Sequence, residues 1–224
     1  VLRNVPTYAM WDDHDYGPNN SDGTEPGKRE SLGSFVELFA NPSAGTNQTP
    51  GAFYRFNWGD VEFFVLDGRY HRSPNEAPND DRKRMLGDEQ FAWLSEHLRA
   101  SKASFKVLAS GSTLRASRAD GWRLYDFARK RLYRLIAENK ISGVVYLSGD
   151  IHRCQIDVHP AGETGGYPLY EITSSGIANS ETNGFAVLDF DTTQADPTLR
   201  VRLIHGDATT PVDRTIKLSQ LQAP

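Results

Sequence analysis

The sequence predicts a mixed α/β fold that ends in a β-rich segment. Two observations predict it. Up to about residue 150, short apolar runs of strand length alternate with stretches whose apolar residues recur at helical spacing. Beyond Gly162 only strand-length segments remain, and their alternation points to an antiparallel sheet face. The 224 residues include 11 Phe, 9 Tyr and 4 Trp, which a disordered chain would lack, so a packed core is expected. No linker-like stretch divides the sequence, and residues 1–224 read as one domain.

The elements follow in order. Thr7 to Trp11 is short, apolar and aromatic, and reads as a strand. Asp12 to Gly23 is rich in Asp, Asn and Gly and reads as a loop. Ser31 to Ala40 carries Leu32, Phe35, Val36 and Phe39 at helical spacing. Asn41 to Gly51 is a second loop. Phe53 to Trp58 and Val61 to Asp67 form two strands joined by the tight turn Gly59-Asp60. Arg72 to Arg84 is polar and reads as a surface excursion. Asp88 then caps a helix whose core stripe is Phe91, Leu94 and Leu98. Phe105 to Ala109 is a buried strand, followed by a loop to about Gly121. Leu124 to Glu138 is an amphipathic helix with Ala128, Leu132, Leu135 and Ile136 on one face. Val144 to Leu147 is a buried strand. The closing strands are Leu169 to Thr173, Gly184 to Phe190, Leu199 to His205 and Arg214 to Leu218.

Composition excludes several classes of function. The net charge is −4 with both signs interspersed, and no Lys/Arg stripe could track a nucleic-acid backbone. A small phosphorylated substrate stays open, because one or two placed arginines suffice to hold it. The single cysteine, Cys154, excludes an internal disulfide framework and reads as core packing. No apolar run approaches the roughly 20 residues of a membrane span, and no signal peptide is visible.

Two clusters carry chemistry. Trp11-Asp12-Asp13-His14-Asp15 places three acids and a histidine where an apolar strand ends, the edge at which α/β sheets bind ligands. Carboxylates suit hard cations and imidazole suits transition metals. A histidine between two acids is expected to hold its proton tightly and to serve as a general acid. A helix cap or Asx turn would use one of the acids and would leave the rest unexplained. In the second cluster, Leu147-Ser148-Gly149-Asp150-Ile151-His152, another apolar strand ends at a carboxylate. In extended chain Asp150 and His152 would point to one side, as metal ligands do, with Gly149 giving the turn. Arg69, after the strand ending at Asp67, reads equally as a bidentate phosphate clamp and as the partner of Asp67 or another loop acid. His71, His97, His159 and His205 read as exposed or packed imidazoles.

The sequence resembles the alkaline phosphatase D family of calcineurin-like metallophosphoesterases. The matching blocks are Trp11 to Asp15 with Asn19, Leu66 to Arg72, Met85-Leu86-Gly87 with Gln90, Trp93 and Leu94, Leu147 to Arg153, and Tyr170 to Ser175. The resemblance implies a β-sandwich flanked by helices around a dinuclear metal centre that hydrolyses phosphate monoesters or diesters outside the cytoplasm, in the periplasm or secreted. It implies that Asp13 stands at the position of a metal-binding Asn and His14 at that of a catalytic His. It further implies Asp150 and His152 as ligands of two different ions, and Asn19 as a further ligand. Iron and calcium are the implied metals, with zinc or manganese in relatives. In the superfamily an acid-rich strand end and a Gly-Asp motif precede the Asp-His motif and supply the remaining ligands, including the metal-bridging acid. Here only Val1 to Trp11 precede Asp12. The chain is therefore expected to be a C-terminal portion whose partner is the N-terminal segment, and to be a poor catalyst alone. The rival expectation is a non-catalytic metal- or ligand-binding domain on the same scaffold.

Overall fold

The computed structural model describes residues 4–115, 121–178, 180 and 183–224. Its centre is a six-stranded sheet with the order β1-β2-β3-β4-β6-β5. The strands are β1 (Tyr54–Trp58), β2 (Val61–Val65), β3 (Phe105–Ala109), β4 (Val144–Ser148), β5 (Cys154–His159) and β6 (Leu169–Ser174). β2, β3, β4 and β6 run parallel, while β1 and β5 are antiparallel edges. β7 (Phe185–Asp191), β8 (Thr198–Ile204) and β9 (Val212–Lys217) form a separate antiparallel sheet. The β-rich end is therefore split: Leu169–Ser174 joins the parallel sheet, and only the last three strands make the antiparallel one.

The parallel strands are apolar on both faces because both are covered. One face packs on α3 (Asp88–Ala100) and α4 (Asp126–Glu138) through Leu94, Leu98, Leu132, Leu135 and Ile136. The other face meets the small sheet, where Phe190 lies 6.3 Å from Phe63 and 5.3 Å from Phe105 between ring centroids. The result is the sandwich flanked by helices that the resemblance implies. Farther toward β1 the same face carries an apolar groove of about 540 Å³ lined by Tyr8, Met10, Phe56, Trp58, Phe63 and Leu147.

Several elements depart from the sequence expectation. Thr7 to Trp11 is not a strand. Side chains stand in for its ladder: Asn41 Oδ1 accepts the Ala9 N–H at 2.9 Å, and Asn41 Nδ2 and the Tyr54 hydroxyl both donate to Ala9 O. The loop after it contains a short helix, α1 (Asp13–Tyr16), and α2 (Lys28–Leu38) begins three residues before Ser31. Of the α2 stripe only Phe35 is buried, and Val36 and Phe39 are exposed. Asp88 does not cap α3. Gly87, at φ 75°, is the cap, and the Asp88 carboxylate accepts from Arg84 and Arg131 instead. The 72–84 excursion is polar but not all on the surface, since Arg72 and Lys83 are buried. A turn of 3-10 helix (Trp122–Tyr125) precedes α4, and the short helix α5 (Ala161–Thr164) follows β5.

Candidate active site

The motif residues gather at the carboxyl edge of the parallel strands. β2 is followed by Leu66-Asp67-Gly68-Arg69, β3 by Ser110-Gly111-Ser112, β4 by Gly149-Asp150 and β6 by Ser175. Backbone bonds tie these ends together. Leu66 N–H donates to Ala109 O at 2.8 Å, Ser110 N–H to Leu147 O at 3.0 Å and Gly149 N–H to Gly111 O at 2.9 Å. Asp12 lies flush against the same glycine: a Cβ on Gly111 would stand 2.4 Å from Asp12 Cγ. The Asp12 block and the Gly149–His152 block thus meet across Gly111. From the sequence this residue reads as part of a loop. The signal was there, because Gly beside Ser at a buried strand end marks a close approach of another chain segment. Gly111→Ala is expected to push Asp12 aside and to cost about 1–3 kcal/mol as overpacking does. Thermal melting of the variant checks it.

Arg69 is wholly buried, and its Nε donates to Asp12 Oδ1 at 2.6 Å while Nη1 donates to Ser21 O at 3.1 Å. Of the two readings of Arg69, the pairing with a loop acid is the one present, and the acid is Asp12. Asp67 sets up this geometry from below. Its Oδ1 accepts the N–H groups of Arg69 and Tyr70, and its Oδ2 accepts that of Ala52. Gln90 of α3 closes the turn by accepting Asp67 N–H and donating to Asp67 O. Burial pushes the Asp12 carboxyl above its ordinary value, although Arg69 opposes the shift. Asp12 Oδ2 is buried with no hydrogen-bond partner among the described residues.

Asp13 is buried, and both its oxygens are engaged: Oδ1 accepts His14 N–H and Oδ2 accepts Asn20 N–H, each at 2.8 Å. Burial raises its carboxyl, but these N–H groups together with Arg69 outweigh it and hold the group below its ordinary value. Asp15 accepts Asp12 N–H at 3.1 Å. Capping and pairing thus occupy all three acids. His14 and Asn19 are exposed and make no side-chain hydrogen bond among the described residues. A ligand from solvent can reach both, as it can the exposed Asp15 between them.

Asp150 and His152 are not in extended chain. Their φ angles are 69° and 55°, and Ile151 N–H donates to Gly149 O at 2.9 Å. That is a γ-turn centred on Asp150, a rare and strained form. The chain must reverse from β4 into the antiparallel β5 within five residues, and Asp150 rather than Gly149 takes the turn. His152 is exposed, and its backbone N–H donates to Ser175 Oγ at 3.2 Å. Two non-glycine residues in the left-handed region within one motif mark a place where the surroundings enforce strain, as functional sites do.

The sequence model of the PhoD-like phosphatases matches residues 1–203. The chain belongs to this family. Among relatives of the chain, alkaline phosphatase D of Bacillus subtilis (strain 168) is 29% identical over 183 residues, covering 66% of this chain and 31% of that protein. A solved structure of PhoD superposes with a TM-score of 0.66 at 18% identity, covering 93% of this chain and 51% of that one, a likeness of fold. The chain thus spans about half, or less, of the length of these relatives. Family membership makes phosphoesterase chemistry the expectation for the site.

The described residues do not by themselves complete the metal centre implied by the resemblance. Among the described residues no group of three or more His, Cys, Asp or Glu is arranged to hold an ion. Each oxygen of Asp13 accepts one backbone N–H group, which leaves a second lone pair on each. No helix among the described residues is long and apolar enough to cross a membrane.

Proposed function

We propose that this member of the PhoD-like phosphatase family hydrolyses phosphate monoesters or diesters by attack of water on phosphorus, with His14 as the proton donor to the departing oxygen. The carrying observation is that exposed His14 stands on the Asp12 block, which meets the strained Asp150–His152 turn across Gly111 at the carboxyl edge of the sheet. The P–O bond to the leaving group breaks as the water oxygen bonds to phosphorus, one proton of that water passes to solvent, and the imidazolium proton passes to the leaving oxygen, which departs as an alcohol. Arg69 acts by holding Asp12 rather than by touching the substrate. The test is turnover of nitrophenyl phosphate and bis-nitrophenyl phosphate by the full-length protein. Hydrolysis of neither ester, across a range of added divalent and ferric ions, would overturn the proposal.

Metal dependence belongs to the same proposal, with Asp13, Asn19, Asp150 and His152 as the contribution of this chain and further ligands from beyond the described residues. Iron and calcium are the ions expected, with zinc or manganese as substitutes, and the location expected is outside the cytoplasm. Asp150→Ala and His152→Ala should each lower the metal bound per full-length protein, measured by elemental analysis. Unchanged stoichiometry in both variants would remove these residues from the metal site. The second reading, a non-catalytic binding domain, draws on the engagement of Asp12, Asp13 and Asp15 in internal bonds. It predicts ester binding without turnover.

A further inference from the structure

Asn75 belongs to none of the sequence motifs, yet its polar groups tie together three segments around the site. Its backbone N–H donates to Asp22 Oδ2 at 2.9 Å, and its Nδ2 donates to Asn20 O at 2.6 Å. Its Oδ1 accepts the Tyr125 hydroxyl at 2.7 Å, and its backbone carbonyl accepts Lys83 Nζ at 2.7 Å. The single Tyr125 proton is shared with Ser73 O, 2.9 Å from the hydroxyl, so the start of the 73–84 excursion is bound to the turn before α4. The segment from Gly17 to Asp22 has no strand ladder, so its backbone groups depend on partners of this kind.

Asn20 is the next link. Its φ is 61°, a left-handed conformation that Asn tolerates better than most residues. Both its backbone polar groups are held: the carbonyl by Asn75 Nδ2, and the N–H by Asp13 Oδ2 at 2.8 Å. An unbroken chain of hydrogen bonds therefore runs from the Asn75 amide through the Asn20 peptide groups to the Asp13 carboxylate. The other oxygen of that carboxylate holds the N–H of His14. Asn19 adjoins Asn20 directly.

We propose that Asn75 is a positioning residue for the phosphoester site: its side-chain amide fixes Asn20, and through Asn20 the register of Asp13, His14 and Asn19. The inference rests on the proposed function for its effect on turnover, but its structural half stands apart. Asn75 touches no reacting atom. It limits how far His14 wanders from the leaving oxygen, and small misplacements of a catalytic group cost rate steeply. Loss of such a constraint lowers turnover more than it weakens substrate binding.

The test separates the donor of Asn75 from its acceptor. Asn75→Asp keeps the size and the acceptor for Tyr125 but sets a carboxylate oxygen against Asn20 O. Tyr125→Phe loosens the same excursion and leaves the Asn20 link in place. In the full-length protein, Asn75→Asp should lower kcat on nitrophenyl phosphate about tenfold with KM within about threefold, whereas Tyr125→Phe keeps kcat within about threefold of wild type. Amide hydrogen exchange of residues 13–20 should accelerate in Asn75→Asp and stay slow in Tyr125→Phe. Equal kcat and equal exchange in the two variants would overturn the inference. If Asn75→Asp does not fold, Asn75→Ser is read in the same way. If wild-type protein hydrolyses no phosphate ester, the proposed function fails, while the exchange rates still decide whether Asn75 holds the segment.

Discussion

His14→Ala should lower turnover on alkyl phosphate esters by roughly 10²–10⁴-fold, the usual loss when a positioned acid or base is removed. His14 is exposed at the start of α1, and its backbone is pinned by Asp13 at 2.8 Å, so the ring is held near the strand ends yet stays open to a substrate. Its flanking acids are spent elsewhere, Asp13 on two N–H groups and Asp15 on the N–H of Asp12. The imidazole therefore has no internal task among the described residues. An alkoxide leaving group needs a proton far more than nitrophenolate does. The loss should accordingly be large on an alkyl ester and small on nitrophenyl phosphate. Equal losses on the two esters would show that His14 serves binding or metal ligation instead.

The sequence made the buried layers legible, because apolar runs such as Val61–Val65, Phe105–Ala109 and Val144–Leu147 have few alternatives in a chain of this size. It hid β5, Cys154–His159, where Gln155, Asp157 and His159 alternate with apolar residues. Such alternation is the mark of a half-covered edge strand, but six residues just after the Asp150–His152 motif give it a short window. Thr7–Trp11 misled in the opposite sense. It has the composition of a strand, but its hydrogen bonds go to Asn41 and Tyr54 side chains across more than 30 residues, which no local pattern foretells. The site divides along the same line. Its blocks stood out as acids and histidines at strand ends. The contacts that organise them, Gly111 on Asp12 and Asn75 on Asn20, join segments far apart in sequence and use residue types that carry no chemistry of their own.

Stability rather than turnover is the readout for Arg69. This side chain is wholly buried, and its Nε meets Asp12 Oδ1 at 2.6 Å. Asp12 Oδ2 already lacks a hydrogen-bond partner among the described residues, so Arg69→Met would leave a carboxylate in poor surroundings on both oxygens. Breaking one side of a buried ion pair costs about 3–5 kcal/mol, with this pair toward the low end because the Asp12 side chain keeps 21% exposure, against little for replacing both sides by packed apolar groups. Urea unfolding of Arg69→Met should show a loss of that size. Arg69→Met combined with Asp12→Leu should recover much of it. The dependence on pH follows from the direction of the Asp12 shift. Burial raises this carboxyl and Arg69 lowers it, so removing Arg69 raises it further. A carboxyl whose folded value exceeds its unfolded value of about 3.9 binds its proton more tightly in the folded state. It therefore destabilises the fold progressively as pH rises from the unfolded value to the folded one. The deficit of Arg69→Met relative to wild type should be smallest in acid and grow toward neutral pH. The double variant, with no carboxyl at position 12, should not show that growth. A single variant within about 1 kcal/mol of wild type at neutral pH, with no such slope, would mean that Asp12 finds another partner when Arg69 is gone.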